Sequence, residues 1–107
     1  MATAKLIVAY PQPKDLEAFE KLYREEHVPM AIENLAGKTK IVATRILDSP
    51  QGKPQFYRVA EVHFPSMEAL QRCAESEGGK ATLANAMKIS SGGPPAIMIA
   101  EEVVFDF

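Results

Sequence analysis

Residues 39–64, TKIVATRILDSPQGKPQFYRVAEVHF, decide the fold because they predict two adjacent strands in the middle of the chain. Thr39–Asp48 is rich in β-branched residues, and Gln55–Phe64 has the composition of a further strand. The six residues between them include two prolines and a glycine, which is typical of a turn. A connection this short joins antiparallel neighbours, so the sequence predicts a β-hairpin.

The segment before the hairpin is predicted to form a strand and then a helix. Ala4–Tyr10 is apolar at successive positions, as in a strand that is buried on both faces. Asp15 is a suitable N-cap for a helix that begins at Leu16. Pro29 predicts a kink or break near residue 28, and a further helical turn is expected to end near Gly37.

The segment after the hairpin is predicted to form a helix and then a strand. Ser66 caps a second helix over residues 67–76, and the EGGK stretch at 77–80 interrupts it. Residues 81–90 either resume the helix or form a packed loop, and residues 96–107 form the last strand. The whole chain, 1–107, is then a single α+β domain of ferredoxin-like βαββαβ order. Its four-stranded antiparallel sheet has both helices on one face.

This sheet would have more apolar surface than two helices can cover. The first strand carries Leu6 and Val8 on one face and Ile7 and Ala9 on the other, and the last strand is apolar on both faces too. Soluble monomers rarely expose a continuous apolar patch beyond a few hundred Å². We therefore expect a homodimer with its two sheets face to face, and a pocket between the sheets.

Polar side chains of the third strand and the first helix are candidate site residues. Alternation puts Tyr57, Glu61 and His63 on one face, which we predict lines the cavity; alternatively they are solvated or pair with neighbouring strands. His27 lies on the buried stripe of the first helix, one turn after Tyr23. It is either a core-edge histidine bonded to a backbone carbonyl, or a neutral imidazole at the pocket mouth that transfers a proton near pH 7.

Composition and motifs exclude several other classes of function. A net charge of −2 with scattered lysines and arginines gives no reason to expect nucleic acid or membrane as a partner. Cys73 is the one cysteine and the first apolar run is short, so we expect no disulfide, no signal peptide and a cytoplasmic location. The spacing of the two histidines and Glu61 does not favour a metal site. Glu26 is assigned to a solvated helix face.

The spacing F-x-x-x-Y-x-x-x-H-x-P-M, from Phe19 through Tyr23, His27 and Pro29 to Met30, resembles the signature of the EthD-like family. That family belongs to the dimeric α+β barrel superfamily, and its usual form has leucine at the last position. The opening LIVAYPQP, the YRVAEVHFPSMEAL segment and the apolar last strand are also similar to family members.

The resemblance supports the homodimer and makes His27 and Tyr23 the positions to watch, with Pro29 shaping the backbone beside them. We predict catalytic roles for His27 and Tyr23, with Glu61 or His63 as a second proton site. The predicted substrate contacts are Tyr57, Pro29 and Met30.

The resemblance also implies a class of activity. The family is named for an association with ethyl tert-butyl ether degradation and is broadly labelled oxidoreductase or catabolic. Relatives in the superfamily include cofactor-free monooxygenases, isomerases and cyclases. We therefore predict an enzyme without a cofactor, an oxidoreductase, monooxygenase or isomerase, acting on a small hydrophobic or aromatic carbonyl compound. The alternatives are an accessory protein that binds a hydrophobic ligand without chemistry, and a structural protein.

Overall fold

Four antiparallel strands form one sheet within residues 3–107, the part of the chain that this computed structural model describes. The first two residues of the predicted domain lie outside that range. The sheet order is β2-β3-β1-β4, with β1 paired to β3 on one side and to β4 on the other. This is the predicted ferredoxin-like arrangement. The strands are β1 (Thr3–Pro11), β2 (Lys40–Arg45), β3 (Phe56–Phe64) and β4 (Ala96–Glu102).

The helix before the hairpin consists of α1 (Leu16–Leu22), a π-helical turn (Tyr23–His27) and α2 (Val28–Asn34). Asp15 caps α1 as predicted, because its side chain accepts a hydrogen bond from the backbone N–H of Ala18. Pro29 falls in the first turn of α2, directly after the π turn, and has no N–H to donate to that preceding turn. The predicted break near residue 28 is therefore a change from a π turn to an α-helix, and the helical path continues.

The helical layer after the hairpin consists of α3 (Met67–Glu75) and α4 (Glu77–Ile89). Ser66 caps α3 as predicted, through a hydrogen bond from the backbone N–H of Ala69. The predicted interruption by EGGK is wrong, because these residues form the first turn of α4 and the break is the single residue Ser76. No helix within residues 3–107 is long and apolar enough to cross a bilayer.

Two glycines explain why a helix starts at EGGK. A Cβ atom on Gly79 would lie 1.9 Å from the backbone oxygen of Cys73, and one on Gly78 would lie 2.5 Å from that of Asn34. Both distances are far below van der Waals contact. The glycines therefore let the start of α4 pack directly against the ends of α3 and α2.

The helices cover one face of the sheet, and the other face has no cover within residues 3–107. The covered face carries most of the buried core, including Leu6, Val8 and Phe64. The opposite face carries Ile7 and Val59, which are half-buried, and Met98, which is exposed. This confirms that the helices leave one partly apolar sheet face open. We call it the open face: Lys5, Ile7, Val59, Glu61, His63, Met98, Ala100 and Glu102.

The last strand is shorter than predicted. It ends at Glu102, which pairs with Thr3, the first described residue of β1. Residues 103–107 continue as exposed irregular chain, with Val103 63% and Phe105 78% exposed. The β propensity of this apolar tail is thus not matched by pairing within the described residues.

Candidate functional site

A small cavity lies between the helices and the sheet, and His27 forms part of its wall. Its volume is about 30 Å³, enough for roughly one water molecule. The wall is apolar except at Tyr23, His27 and Thr82. The other residues that line it are Leu6, Val8, Val28, Ala31, Leu35, Ile41, Ala60, Val62, Leu83 and Ala86.

The His27 side chain is hydrogen-bonded by other side chains at both ring nitrogens. The residue is 7% exposed. Its Nδ1 lies 2.8 Å from Oδ1 of Asn85, and its Nε2 lies 3.3 Å from Oη of Tyr10. Asn85 in turn donates from Nδ2 to Oε1 of Glu26 at 2.7 Å. Both of His27's polar contacts are therefore to side chains, and neither is the backbone carbonyl of the simpler core interpretation.

Burial controls the charge of His27. Removal from water lowers the pKa of its imidazole below the ordinary 6.5, while Asn85 and the Glu26 carboxylate oppose that shift. The lowered pKa means that the ring is mainly neutral at pH 7. A neutral imidazole in an apolar wall is able to accept a proton from a bound molecule.

Tyr23 packs against His27, as the four-residue spacing predicts. Its ring stacks on the imidazole with centroids 5.8 Å apart and meets the ring of Tyr10 edge-on at 5.7 Å. The guanidinium carbon of Arg58 lies 4.8 Å from the Tyr23 ring centroid. Burial raises the pKa of the Tyr23 phenol, although Arg58 opposes the shift. Tyr23 therefore stays protonated at neutral pH and supports the imidazole ring.

Pro29 and Met30 do not line the cavity, although both were predicted to contact substrate. Pro29 is exposed and Met30 is half-buried. Their neighbours Val28 and Ala31 line the cavity instead. The reason is local geometry, since Ala31, four residues after His27, continues the buried face, whereas the predicted stripe placed Met30 there.

Tyr57 does not share a face with Glu61 and His63, so that prediction is wrong. Tyr10 pairs with Arg58 and Pro11 pairs with Phe56, which leaves Tyr57 as the extra residue of a β-bulge. The bulge interrupts the alternation on which the prediction depended. Tyr57 is 5% exposed. It donates from Oη to Oε1 of Glu20 on α1 at 2.7 Å, away from the cavity wall.

Glu61 and His63 lie on the open face, with the sheet between them and His27. Lys5 Nζ lies 2.5 Å from Oε1 of Glu61 and 2.9 Å from Oε2 of Glu102. His63 Nδ1 lies 3.6 Å from the other oxygen of Glu102. The hydrogen bond that Lys5 donates to Glu102 lowers the pKa of that carboxyl group, and the hydrogen bonds that Lys5 donates to Glu61 and Glu102 raise the pKa of its own ammonium.

The possible metal ligands of this group are close together. Ligand atoms of Glu61, His63 and Glu102 lie within 4.8 Å of one another. However, the Lys5 ammonium already contacts both carboxylates, so it supplies the positive charge that a metal ion would bring. We interpret the group as an ion-pair network on the open face. The structure thus brings Tyr23 and His27 together but separates them from Glu61 and His63.

Three residues of the site were missed from the sequence. The sequence pattern indicates only an apolar strand at Tyr10, and it places Glu26 on a solvated helix face, although Glu26 is half-buried in the structure. Asn85 received no role. The signal for Asn85 is its position on the buried face of α4, between Thr82 and Ile89, where an unpaired amide is costly.

Comparisons with known proteins identify the family. The EthD domain model matches residues 11–88, a segment that contains Glu26, His27 and Asn85. The crystal structure of an ethyl tert-butyl ether degradation (EthD) family protein from Bacillus halodurans C-125 superimposes with a TM-score of 0.87. The two are 36% identical, and the match covers 94% of this chain and 99% of that one.

Two further matches extend the comparison. An 11.0 kDa protein in the thcB–thcC intergenic region of Rhodococcus erythropolis is 29% identical over 101 residues, which is 94% of this chain and 96% of that protein. SnoaB of Streptomyces nogalater, a cofactor-independent oxygenase, has the same fold, with a TM-score of 0.59, 13% identity and coverage of 99% and 95%. The resemblance first seen in the helical motif is confirmed along most of the sequence, and the chain belongs to the EthD family.

Proposed function

We propose that the protein binds a small apolar carbonyl compound in the cavity between helices and sheet, and that His27 transfers a proton to or from it. The observation that carries this proposal is a buried imidazole in a largely apolar wall, with the hydroxyl of Tyr10 3.3 Å from its Nε2. Burial lowers the pKa of this imidazole and so favours its neutral form. An apolar cavity with one base and one nearby donor suits a ligand with a hydrocarbon body and a single oxygen.

The proton transfer can be written without a cofactor. His27 takes a proton from the carbon next to the carbonyl, and the electron pair of that C–H bond forms an enolate. Once Nε2 has taken the proton it no longer accepts from Tyr10 Oη–H, which is then free to donate to the enolate oxygen. This phenol stays protonated because burial raises its pKa. Return of the proton to the same carbon or to another one gives exchange or isomerisation. The predicted oxygenase activity would start from the same enolate, with O₂ as the oxidant.

The cavity must widen to hold such a ligand, because about 30 Å³ admits little more than water. Val28, Ile41 and Leu83 line it and are half-buried, so they are the wall residues nearest solvent. We propose that ligand entry separates these three side chains. They belong to α2, the edge strand β2 and α4, so the entrance lies where these three elements meet.

Methyl NMR tests where the ligand binds. With labelled Ala, Ile, Leu and Val methyl groups, titration with small ketones is expected to shift the resonances of Leu6, Val8 and Ile41 in the cavity wall. Alkanes of matched size bind more weakly because they lack the oxygen. Ile7 and Val59 on the open face serve as internal controls and keep their shifts. Shifts confined to the open face, or none at saturating ketone, would contradict the proposal.

Binding without chemistry is the second candidate function. It is favoured by the same observation that limits the first, namely that the wall offers few polar atoms. The two candidates separate in one comparison, since both predict the methyl shifts and only the first predicts proton exchange in the bound ketone.

We further propose that the open face forms a homodimer with a second copy. The dimeric superfamily that the sequence resembles supports this, as does the partly apolar surface around Ile7, between its neighbours Glu61 and Met98.

Burying an unpaired carboxylate at Ile7, in the proposed interface, is strongly destabilising. Ile7→Asp should therefore convert the dimer to a monomer at micromolar concentration, as measured by native mass spectrometry. Ile32→Asp, at an exposed position on α2, should leave the dimer intact. A dimer that persists in Ile7→Asp would place the interface elsewhere.

A further inference from the structure

Asn85 is a polar side chain where α4 should be apolar. It is 7% exposed and lies on the same helix face as the buried residues Thr82, Ala86 and Ile89. A buried amide is destabilising unless both of its ends are hydrogen-bonded. Both ends of Asn85 have partners, Glu26 at 2.7 Å and His27 at 2.8 Å. Asn85 therefore links the half-buried Glu26 to the imidazole of His27 in the cavity wall.

The chemistry of the partners fixes the direction of each hydrogen bond. The carboxylate of Glu26 only accepts, so Asn85 must turn its amino group toward Glu26. The amide oxygen of Asn85 then faces His27, and that oxygen also only accepts. The proton of the neutral imidazole must therefore be on Nδ1. The lone pair is left on Nε2, where Tyr10 Oη donates to it.

We infer that Glu26 and Asn85 are positioning residues that hold His27 in its Nδ1–H tautomer and so make Nε2 the proton acceptor of the site. The catalytic role of Nε2 rests on the proposed function, whereas the assignment of the tautomer does not. Lys88 Nζ is the cation near this carboxylate, 3.8 Å from Oε1 of Glu26. A residue outside the cavity wall thus determines which nitrogen of His27 acts.

Glu26→Gln tests this control with a minimal change of shape. A glutamine amide donates as well as accepts, so Asn85 loses the reason to keep its amino group toward residue 26. We expect a mixture of the two His27 tautomers in this variant. Glu25→Gln is the matched control, because Glu25 is the exposed neighbour and makes no contact with Asn85 among the described hydrogen bonds.

The measurement is a long-range ¹H–¹⁵N NMR spectrum of the His27 ring at a pH where the ring is neutral, with His63→Gln used to assign the two histidines. The wild-type protein and Glu25→Gln should show Nδ1 protonated and Nε2 unprotonated. In Glu26→Gln the two ¹⁵N resonances should move toward each other. A wild-type proton on Nε2, or a Glu26→Gln spectrum identical to that of the wild type, would overturn the inference.

Asn85→Asp combined with Glu26→Gln gives a second and independent test. The glutamine amide donates to the new carboxylate, which would otherwise face the Glu26 carboxylate at hydrogen-bond distance. The new carboxylate accepts the Nδ1 proton and favours the imidazolium, so the pKa of His27 should rise relative to wild type while the tautomer stays Nδ1–H. An unchanged His27 titration in the folded double variant would count against the contact. Failure of ketone exchange with the Nδ1–H tautomer intact would refute the proposed function and leave this inference standing. Ketone exchange in a wild-type protein whose His27 proton is on Nε2 would refute the inference alone.

Discussion

Replacement of His27 with glutamine is expected to slow α-proton exchange in a bound ketone by about 100-fold or more, the usual contribution of a positioned general base. Glutamine retains hydrogen-bonding capacity toward Asn85 but has no basic nitrogen. The exchange is measured in D₂O as loss of the ketone α-proton signals in ¹H NMR. The ketones to use are those that shift the cavity methyl resonances.

The control for this experiment is the other histidine of the chain. His63 has a similar exposure, 6% against 7% for His27, but lies across the sheet on the open face. His63→Gln should therefore exchange ketone protons at the wild-type rate. Equal loss in both variants would indicate a general effect on the fold, and full activity of His27→Gln would remove His27 from the mechanism.

Replacement of Gly79 with alanine is expected to destabilise the protein by at least ~2 kcal/mol, as overpacking of a rigid contact does. Helix propensity alone predicts the opposite sign, since alanine is favoured over glycine by about 1 kcal/mol inside a helix. The new Cβ atom would lie 1.9 Å from the backbone oxygen of Cys73, and backbone cannot move aside as a flexible side chain does. Thermal unfolding should show a melting temperature lower by roughly 10 °C or more.

Ala81→Gly separates propensity from packing in that measurement. Ala81 is exposed on the same helix, so its loss should cost only about 1 kcal/mol. The contact with Cys73 is refuted if Gly79→Ala is as stable as the wild type or more stable than Ala81→Gly.

Local patterns in the sequence were sufficient to predict the fold. The hairpin at residues 39–64, the caps at Asp15 and Ser66 and the order of elements all follow from short stretches of chain. EGGK misled the prediction because glycine usually ends a helix, whereas here Gly78 and Gly79 are required by contacts with α2 and α3. Such contacts between distant residues leave no local pattern.

The candidate site was predicted in part for the same reason. His27 and Tyr23 follow from helical spacing, which is local. The partners of His27 are 17 and 58 residues away, at Tyr10 and Asn85, and no periodicity connects them. Tyr57 was misplaced because a single bulge residue reverses the face on which a strand residue lies, and alternation assumes that no bulge exists.

The pH dependence of ketone exchange in the wild type and in His27→Gln tests most directly whether His27 is the base. His27 works only when it is unprotonated, and burial places its pKa below the ordinary 6.5. The wild-type rate should therefore rise with pH below 6.5, follow the loss of the His27 proton and be level around pH 7. His27→Gln should show no such rise. The same profile in both proteins, or a wild-type rate that increases steadily with hydroxide concentration, would contradict the account.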